Sequence, residues 1–282
     1  PSVQDCHNEA SVTVREVRIN SSAIGGIAGR AEFTWFRNCS NTGTVSFPTE
    51  GKGGIHYYAG GLIGSTGLSI SLRRSYNSGS VQADSSAGGL VGKLAGSGAK
   101  VTSCYNSGEV KSKRYAGGLV GQIGSEAAGS QVSWCYNCGP VNLNINGRYM
   151  GAIFGGMEAG DYENLFALKR SDQPDRAMVG YSADFTSPGY FLSAAELQSD
   201  EYLNSLNGGG NHFIHDYLGF QSGYPILSWQ LTLEDLKTGA VSELESFVSE
   251  EDYEPENWAL VKQEMEAGSI RIREASTMDE VN

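Results

Sequence analysis

Apolar and polar residues alternate along this chain in runs too short for helices. Residues 12–14, 57–58 leading into 62–63, 69–72, 100–102 and 131–133 change face with each residue, the period of a strand lying half buried on a core. Clusters of Gly, Ser and Asn part these runs, as turns require. Within Gly-Gly-Leu-Val-Gly the alternation assigns Ile27, Leu62, Leu90, Leu119 and Ile153 to one inward column. Within Cys-Tyr-Asn it places Cys and Asn on one face and Tyr on the other. Tyr76, Tyr105 and Tyr136 are therefore expected to point outward, with Ser40 and His7 in the earlier places. A second aromatic column, Tyr58, Tyr115 and Tyr149 interrupted by Ser86, precedes Ala-Gly-Gly.

The runs belong to a repeat. Ala-Gly-Gly-Leu-Val-Gly followed by Cys-Tyr-Asn-Ser-Gly-x-Val occurs at 87–92 with 104–110 and at 116–121 with 135–141, with close copies at 59–64 with 75–81 and 24–29 with 39–45. A degenerate copy starts at 150, and 6–12 reads as the tail of another. Equivalent glycines Gly26, Gly61, Gly89 and Gly118 are 35, 28 and 29 residues apart, and Ala152 follows after 34. Such periods predict stacked coils. The expected fold is mainly β: a β-solenoid (β-helix) of about five to six coils at about 4.8 Å each, over residues 1–155. The Asn-x-Gly elements (Asn41/Gly43, Asn77/Gly79, Asn106/Gly108, Asn137/Gly139) fit its corners. There Asn bonds nearby backbone and stacked asparagines form a ladder, while Gly is expected to supply positive φ.

Past Gly155 the pattern decays, and residues 156–230 are assigned to a mixed α/β cap over the last coil. Ser193 and Glu196 form a capping box for a helix carrying Leu197, Tyr202 and Leu206 towards Asn207-Gly208. Residues 224–229 read as a closing edge strand. From 231 to 282 the composition turns helical, with Trp258, Val261, Met265, Gly268, Ile272 and Ala275 on one face after Glu254-Pro255, and a capping box at Thr277/Glu280. This short tail is expected to be a truncated helical module, and the chain a piece of a longer protein.

Charge sharpens the division. Residues 1–230 carry 18 acidic and 16 basic side chains, whereas 231–282 carry 14 and 4, giving −2 and −10. Such a balance argues against nucleic acid and against an anionic membrane surface as partners, and no apolar run is long enough for membrane insertion. Cys6, Cys39, Cys104 and Cys135 share one repeat position with Ser75, which suggests a buried column of small side chains in place of a disulfide framework. Cys138 is expected near solvent.

The pairing of Gly-Gly-Leu-Val-Gly with Cys-Tyr-Asn-Ser-Gly-x-Val resembles the GLUG-motif repeat of large bacterial cell-surface proteins, over about residues 6–155. Leu206-Asn207 and 223–229 look like the usual end of such regions, and residues 252–277 are similar to FIVAR-like helical modules. The resemblance implies an extracellular, wall-attached or secreted parent, of the kind that accompanies immunoglobulin A proteases and adhesins, with no catalytic residues in the repeat itself.

A search of the residues for chemistry gives little. Asp84, Glu109 and Glu126 lie at non-equivalent repeat positions and read as surface charges, not as the carboxylate pair of a glycosidase. His212 and His215 lack a third metal ligand nearby in sequence. No catalytic residue, metal site or cofactor is expected. The one candidate site is the outward Tyr76/Tyr105/Tyr136 column, a flat aromatic strip suited to sugar rings or a protein partner; the same rings stacked to stiffen the rod are the competing reading. The expected function is a non-catalytic rod or adhesin-like domain that spaces its neighbours and binds host glycans or host surface proteins. The alternative is an accessory domain positioning substrate for a peptidase or glycoside hydrolase elsewhere in the parent protein.

Overall fold

Each alternating run becomes a strand, and each strand pairs with its equivalent in the neighbouring repeat. A computed structural model describes residues 1–14, 21–47, 56–143, 148–173, 177–182 and 189–281. They form two compact units, Pro1–His212 and Phe213–Asn282.

The first unit is a parallel β-solenoid with three faces. The first face is an eleven-stranded sheet holding two strand columns. One column begins Ser2–Gln4, Trp35–Arg37, Ser71–Arg73, Lys100–Thr102, and the other begins His7–Asn8, Ser40–Asn41, Tyr76–Asn77, Tyr105–Asn106. The two columns merge in the longer strand Gln131–Asn137. The second face is the five-stranded Val12, Val45, Val81, Val110, Val141 sheet. The third is a ten-stranded sheet built on Ala-Gly-Gly and Leu-Val-Gly. Among the described residues every pairing in this unit is parallel, at offsets such as 33, 36, 29 and 31 residues, and the register shifts only where Gly151–Phe154 meets Ala177–Val179. Five circuits are followed by a partial sixth.

The core follows the predicted columns. The Ile27 amide donates to the Leu62 carbonyl, Leu62 to Leu90, Leu90 to Leu119 and Leu119 to Ile153. Leu62, Leu90, Leu119 and Ile153 are fully buried, with Ile27 packed against them at the open end. Each such side chain contributes roughly 1.5–3 kcal/mol on burial. Tyr58, Ser86, Tyr115 and Tyr149 also fall in one register, as expected.

The asparagine ladder forms. Asn8 Nδ2 donates to Asn41 Oδ1 (2.6 Å), Asn41 to Asn77 (2.7 Å), Asn77 to Asn106 and Asn106 to Asn137 (2.8 Å each). Each amide from Asn41 to Asn137 also donates to the carbonyl of the glycine two residues on, and Asn8 to that of Ala10. These glycines serve another end than the one expected: none of Gly43, Gly79, Gly108 and Gly139 has positive φ. A methyl at Gly79 would overlap the Gly43 carbonyl, and one at Gly108 the Gly79 carbonyl, so the column is glycine because the corners stack backbone on backbone.

Positive φ falls instead on non-glycine residues, Asp5, Asn38, Arg74, Ser103, Trp134 and Asn164, all between 50° and 53°, which precede the Cys/Ser position or, for Asn164, its equivalent Leu165. An L-residue there costs roughly 1–2 kcal/mol. The bend persists because these residues stay in the inter-coil ladder: Asp5 donates to the Arg37 carbonyl, Asn38 to Arg73 and Arg74 to Thr102.

Coiling does not stop at residue 155. Strand Asp161–Leu168 pairs along all of Gln131–Asn137, and Gly189–Leu192 pairs with it in turn. Backbone ladders need no Gly or Asn signature, which is why the boundary was invisible in the repeat. The part of the expected cap that is helical is short: α1 (Ala194–Leu197) and α2 (Asp200–Asn207), broken at Gln198–Ser199, with the Ser193/Glu196 capping box and buried Leu197, Tyr202 and Leu206 as predicted.

Residues 213–230 belong to the second unit. There Ile226–Leu227 pairs antiparallel with Phe213–Ile214, so the predicted edge strand closes a hairpin and not the solenoid. The buried Asp216 carboxylate accepts from the amides of Phe220, Gln221 and Gly223. Helices α3 (Leu233–Ser246), α4 (Pro255–Glu274) and α5 (Met278–Val281) follow, α3 opened by a Thr232/Asp235 capping box and α4 by Glu254-Pro255. Gly268 admits Leu244 between α3 and α4. On α4 the predicted face is turned inward but mostly only half buried. Among the described residues no helix is long and apolar enough to cross a membrane.

Candidate functional site: an aromatic and cationic groove

The tyrosine column exists but does not face solvent. Tyr76 stacks on Tyr105 at 5.0 Å between ring centroids and Tyr105 on Tyr136 at 5.1 Å, nearly parallel. Tyr105 is 1 % exposed and Tyr136 fully buried; only Tyr76 is partly open. Tyr202 of α2 meets Tyr136 and Phe166 edge-on, closing over the column. Alternation put these rings on the outer face correctly, but a sequence period cannot show that a later helix covers that face. The strip is structural. Tyr105→Leu is expected to lower stability by about 2 kcal/mol through loss of two stacked pairs, read by denaturant unfolding, with ligand binding unchanged.

The cysteines are likewise structural. All five are free. Cys104 donates its amide to Cys135 Sγ, and Cys39 donates to Ser75 Oγ, so thiol and hydroxyl fill one hydrogen-bonding position interchangeably. Burial pushes the Cys104 thiol well up, with Cys135 adding to it, and burial likewise raises Cys39; neither is a ready nucleophile. Cys138, expected near solvent, is buried at 7 % exposure, its thiol donating to the Asn106 carbonyl of the preceding coil.

Asp84, Glu109 and Glu126 are ion-paired to Lys113, Lys111 and Lys93, respectively. His212 and His215 fall in different units. Among the described residues no three His, Cys, Asp or Glu side chains gather as metal ligands.

What the first face does carry is a groove of about 900 Å³ beside the tyrosine column. Its floor is the outward side of the strands whose inner residues are Phe36, Leu72 and Val101. In a regular strand two neighbours point to opposite faces. The left-handed bend at Arg74 and Ser103 breaks that rule, so Arg73 and Arg74, like Thr102 and Ser103, both line the groove. Trp35 presents its indole at 68 % exposure, and Trp134, another left-handed residue, lies further along. One wall is the chain leaving α2. Gly208, at φ 53°, lies against the Trp134 indole where a methyl would not fit, and Asn207 Oδ1 holds the amide of His212 at 2.9 Å.

Among the described residues four cations, Arg37, Arg73, Arg74 and Lys100, share the groove with His212, and no Asp or Glu lines it. Burial first, then Arg74, Arg37 and Arg73, hold the His212 imidazole below its usual range, so it is neutral at pH 7. Arg74 is itself lowered, by burial and then by Arg37, with Asp5 opposing. The arrangement can offer a flat aromatic surface, guanidinium forks and a region of positive potential. Sequence reasoning missed it because its residues do not recur: Trp35, Ser71 and Lys100 are unlike residues at one register position, and Arg73 and Trp134 stand at two others. The adjacent pair Arg73-Arg74 was the one local sign.

No curated protein and no solved structure matches the chain. Residues 20–46 match the family model of the GLUG motif. That stretch runs from the third face through the first, where it includes Trp35 and Arg37, to the second, one circuit of the solenoid. The same circuit recurs in register down the stack, and the match thus supports reading the chain as a GLUG-repeat protein.

Proposed function

We propose that this chain is a non-catalytic, extracellular, adhesin-like rod domain whose first face binds a surface saccharide in the Trp35 groove while the coils space neighbouring domains of a bacterial surface protein. The observation that carries the reading is the large exposed Trp35 indole beside polar and cationic side chains in a walled groove. A flat apolar ring with polar groups at its margins fits the two faces of a pyranose, apolar C–H on one side and hydroxyls at the edge. The lining supports binding over turnover, because glycoside cleavage uses a carboxylate pair and the described residues of the lining include no carboxylate. The half-buried face of α4 suits the start of a FIVAR-like module of such a protein.

A glycan array probed with the whole chain and with Trp35→Ala tests the reading. The expected result is a defined set of bound glycans that Trp35→Ala loses by about 10-fold or more, the scale of one aromatic anchor, at an unchanged unfolding midpoint. No glycan bound, or the same set bound by Trp35→Ala, overturns it.

A further inference from the structure

Resting on the reading of the groove as a saccharide site, we infer that its ligand is an acidic sugar whose oxyanion sits between Arg37 and Arg73 while a neighbouring ring lies on Trp35. The inference begins from charge that the fold gathers and leaves uncompensated. Elsewhere on the solenoid five cations are matched: Arg30 with Glu32, Lys93 with Glu126, Lys111 with Glu109, Lys113 with Asp84, Arg170 with Asp172. Among the described residues Arg37, Arg73 and Lys100 have no such partner, although residues 1–230 as a whole are near neutral.

Register explains why they lie together. Arg37 pairs with Arg73 across adjacent coils, and Ser71 of the same strand pairs with Lys100 on the next. Parallel in-register strands lie about 4.8 Å apart, so like charges stand in the most repulsive places a sheet offers, where directly opposed like charges destabilise. Arg73 is further oriented by its Nε donating to Ser71 Oγ at 3.1 Å, which leaves the guanidinium end open. Two planar forks side by side suit a carboxylate or sulfate, which each can grip through two parallel N–H bonds. A bound anion also relieves the repulsion between these cations.

The groove's size selects a short ligand over a polymer backbone. About 900 Å³, walled by 207–212, is room for a few sugar rings. A chain of net charge −12 is a poor track for nucleic acid. Carboxylated and sulfated sugars share the oxyanion chemistry, and the probes separate them.

The test is calorimetric titration of the intact chain, at about 150 mM salt, with a uronate trisaccharide, its neutral methyl ester, a sulfated disaccharide and a single-stranded oligonucleotide. Arg37→Gln, Arg73→Gln and Trp35→Ala run alongside, and circular dichroism melts confirm that these exposed positions leave the fold intact. The expected result is that the acid binds at least 10-fold tighter than its ester. Arg73→Gln should lose about 10- to 100-fold, the scale of charge-assisted hydrogen bonds, and weaken the ester little. Tight binding of the sulfated sugar alone, sensitive to Arg73→Gln, supports the same oxyanion site with sulfate as its source. Equal binding of acid and ester overturns the acidic-sugar inference but leaves the saccharide groove standing. No saccharide bound, with or without the oligonucleotide bound, overturns both.

Discussion

Asn106→Ala is expected to destabilise the solenoid by about 4 kcal/mol, which denaturant unfolding will register as a large shift in midpoint. Its amide is the centre of the ladder. Removal leaves the Asn77 Nδ2 group, the Asn137 Oδ1 atom and the Gly108 carbonyl each short of a hydrogen bond. Asn106 is fully buried, so water cannot replace what is lost, and each unsatisfied buried group costs about 1–3 kcal/mol. Asn106→Asp is expected to fail for a different reason: a carboxylate accepts from Asn77 but cannot donate to Asn137 or Gly108, and an ionised group would be buried without a cation.

Gly89→Ala is the second large effect, a loss of at least about 3 kcal/mol by overpacking. A methyl there would overlap the Gly118 carbonyl and the Asn106 amide. The first obstacle is backbone of the next coil, which cannot move without opening the spacing of the stack. Gly129→Ala is the control: at φ +70° with open space around it, it meets strain without a clash, and about 1 kcal/mol is expected. Because half of the Gly89 obstruction is Asn106 itself, the double substitution should fall short of the sum of the singles.

That shared obstruction explains why the two halves of the repeat travel together. Gly26 makes room for Asn41, Gly61 for Asn77, Gly89 for Asn106 and Gly118 for Asn137. Where the asparagine column ends, at Ala167, so does the need for glycine. Ala152 takes the equivalent place, and Asn137 Nδ2 donates to its carbonyl instead of to a further amide.

The inward columns and the ladder were legible from spacing because each coil repeats them, and a repeated position reports its own environment several times over. The cap was less legible. Asp161–Leu168 and Gly189–Leu192 stay in the stack through backbone bonds that leave no side-chain signature, and residues 213–230 carry strand-like composition into a separate hairpin. The open groove lies one strand column away from the tyrosines. Tyr76, Tyr105 and Tyr136 advertised themselves by repetition, yet α2 covers them. The groove is assembled from single occurrences, Trp35 in one coil, Arg73 in the next and His212 after α2, and the left-handed bend that turns Arg73 and Arg74 the same way contradicts the alternation used to read the strands.

A groove built from unlike residues on a repeated frame has a physical rationale. The frame fixes backbone positions coil by coil, so outward residues can differ without loss of register. In this chain the floor of the groove varies from Trp35 to Ser71 to Lys100 at one register position while Phe36, Leu72 and Val101 beneath it stay apolar.

The most direct test of the groove as the ligand site is a hydrogen-exchange footprint of the whole chain with the oligosaccharide that the array retains most strongly. The account predicts slowed exchange confined to residues 35–37, 71–74, 100–103 and 207–212, abolished in Trp35→Ala. Protection centred instead on the second unit, or on the strands of the third face, would contradict it.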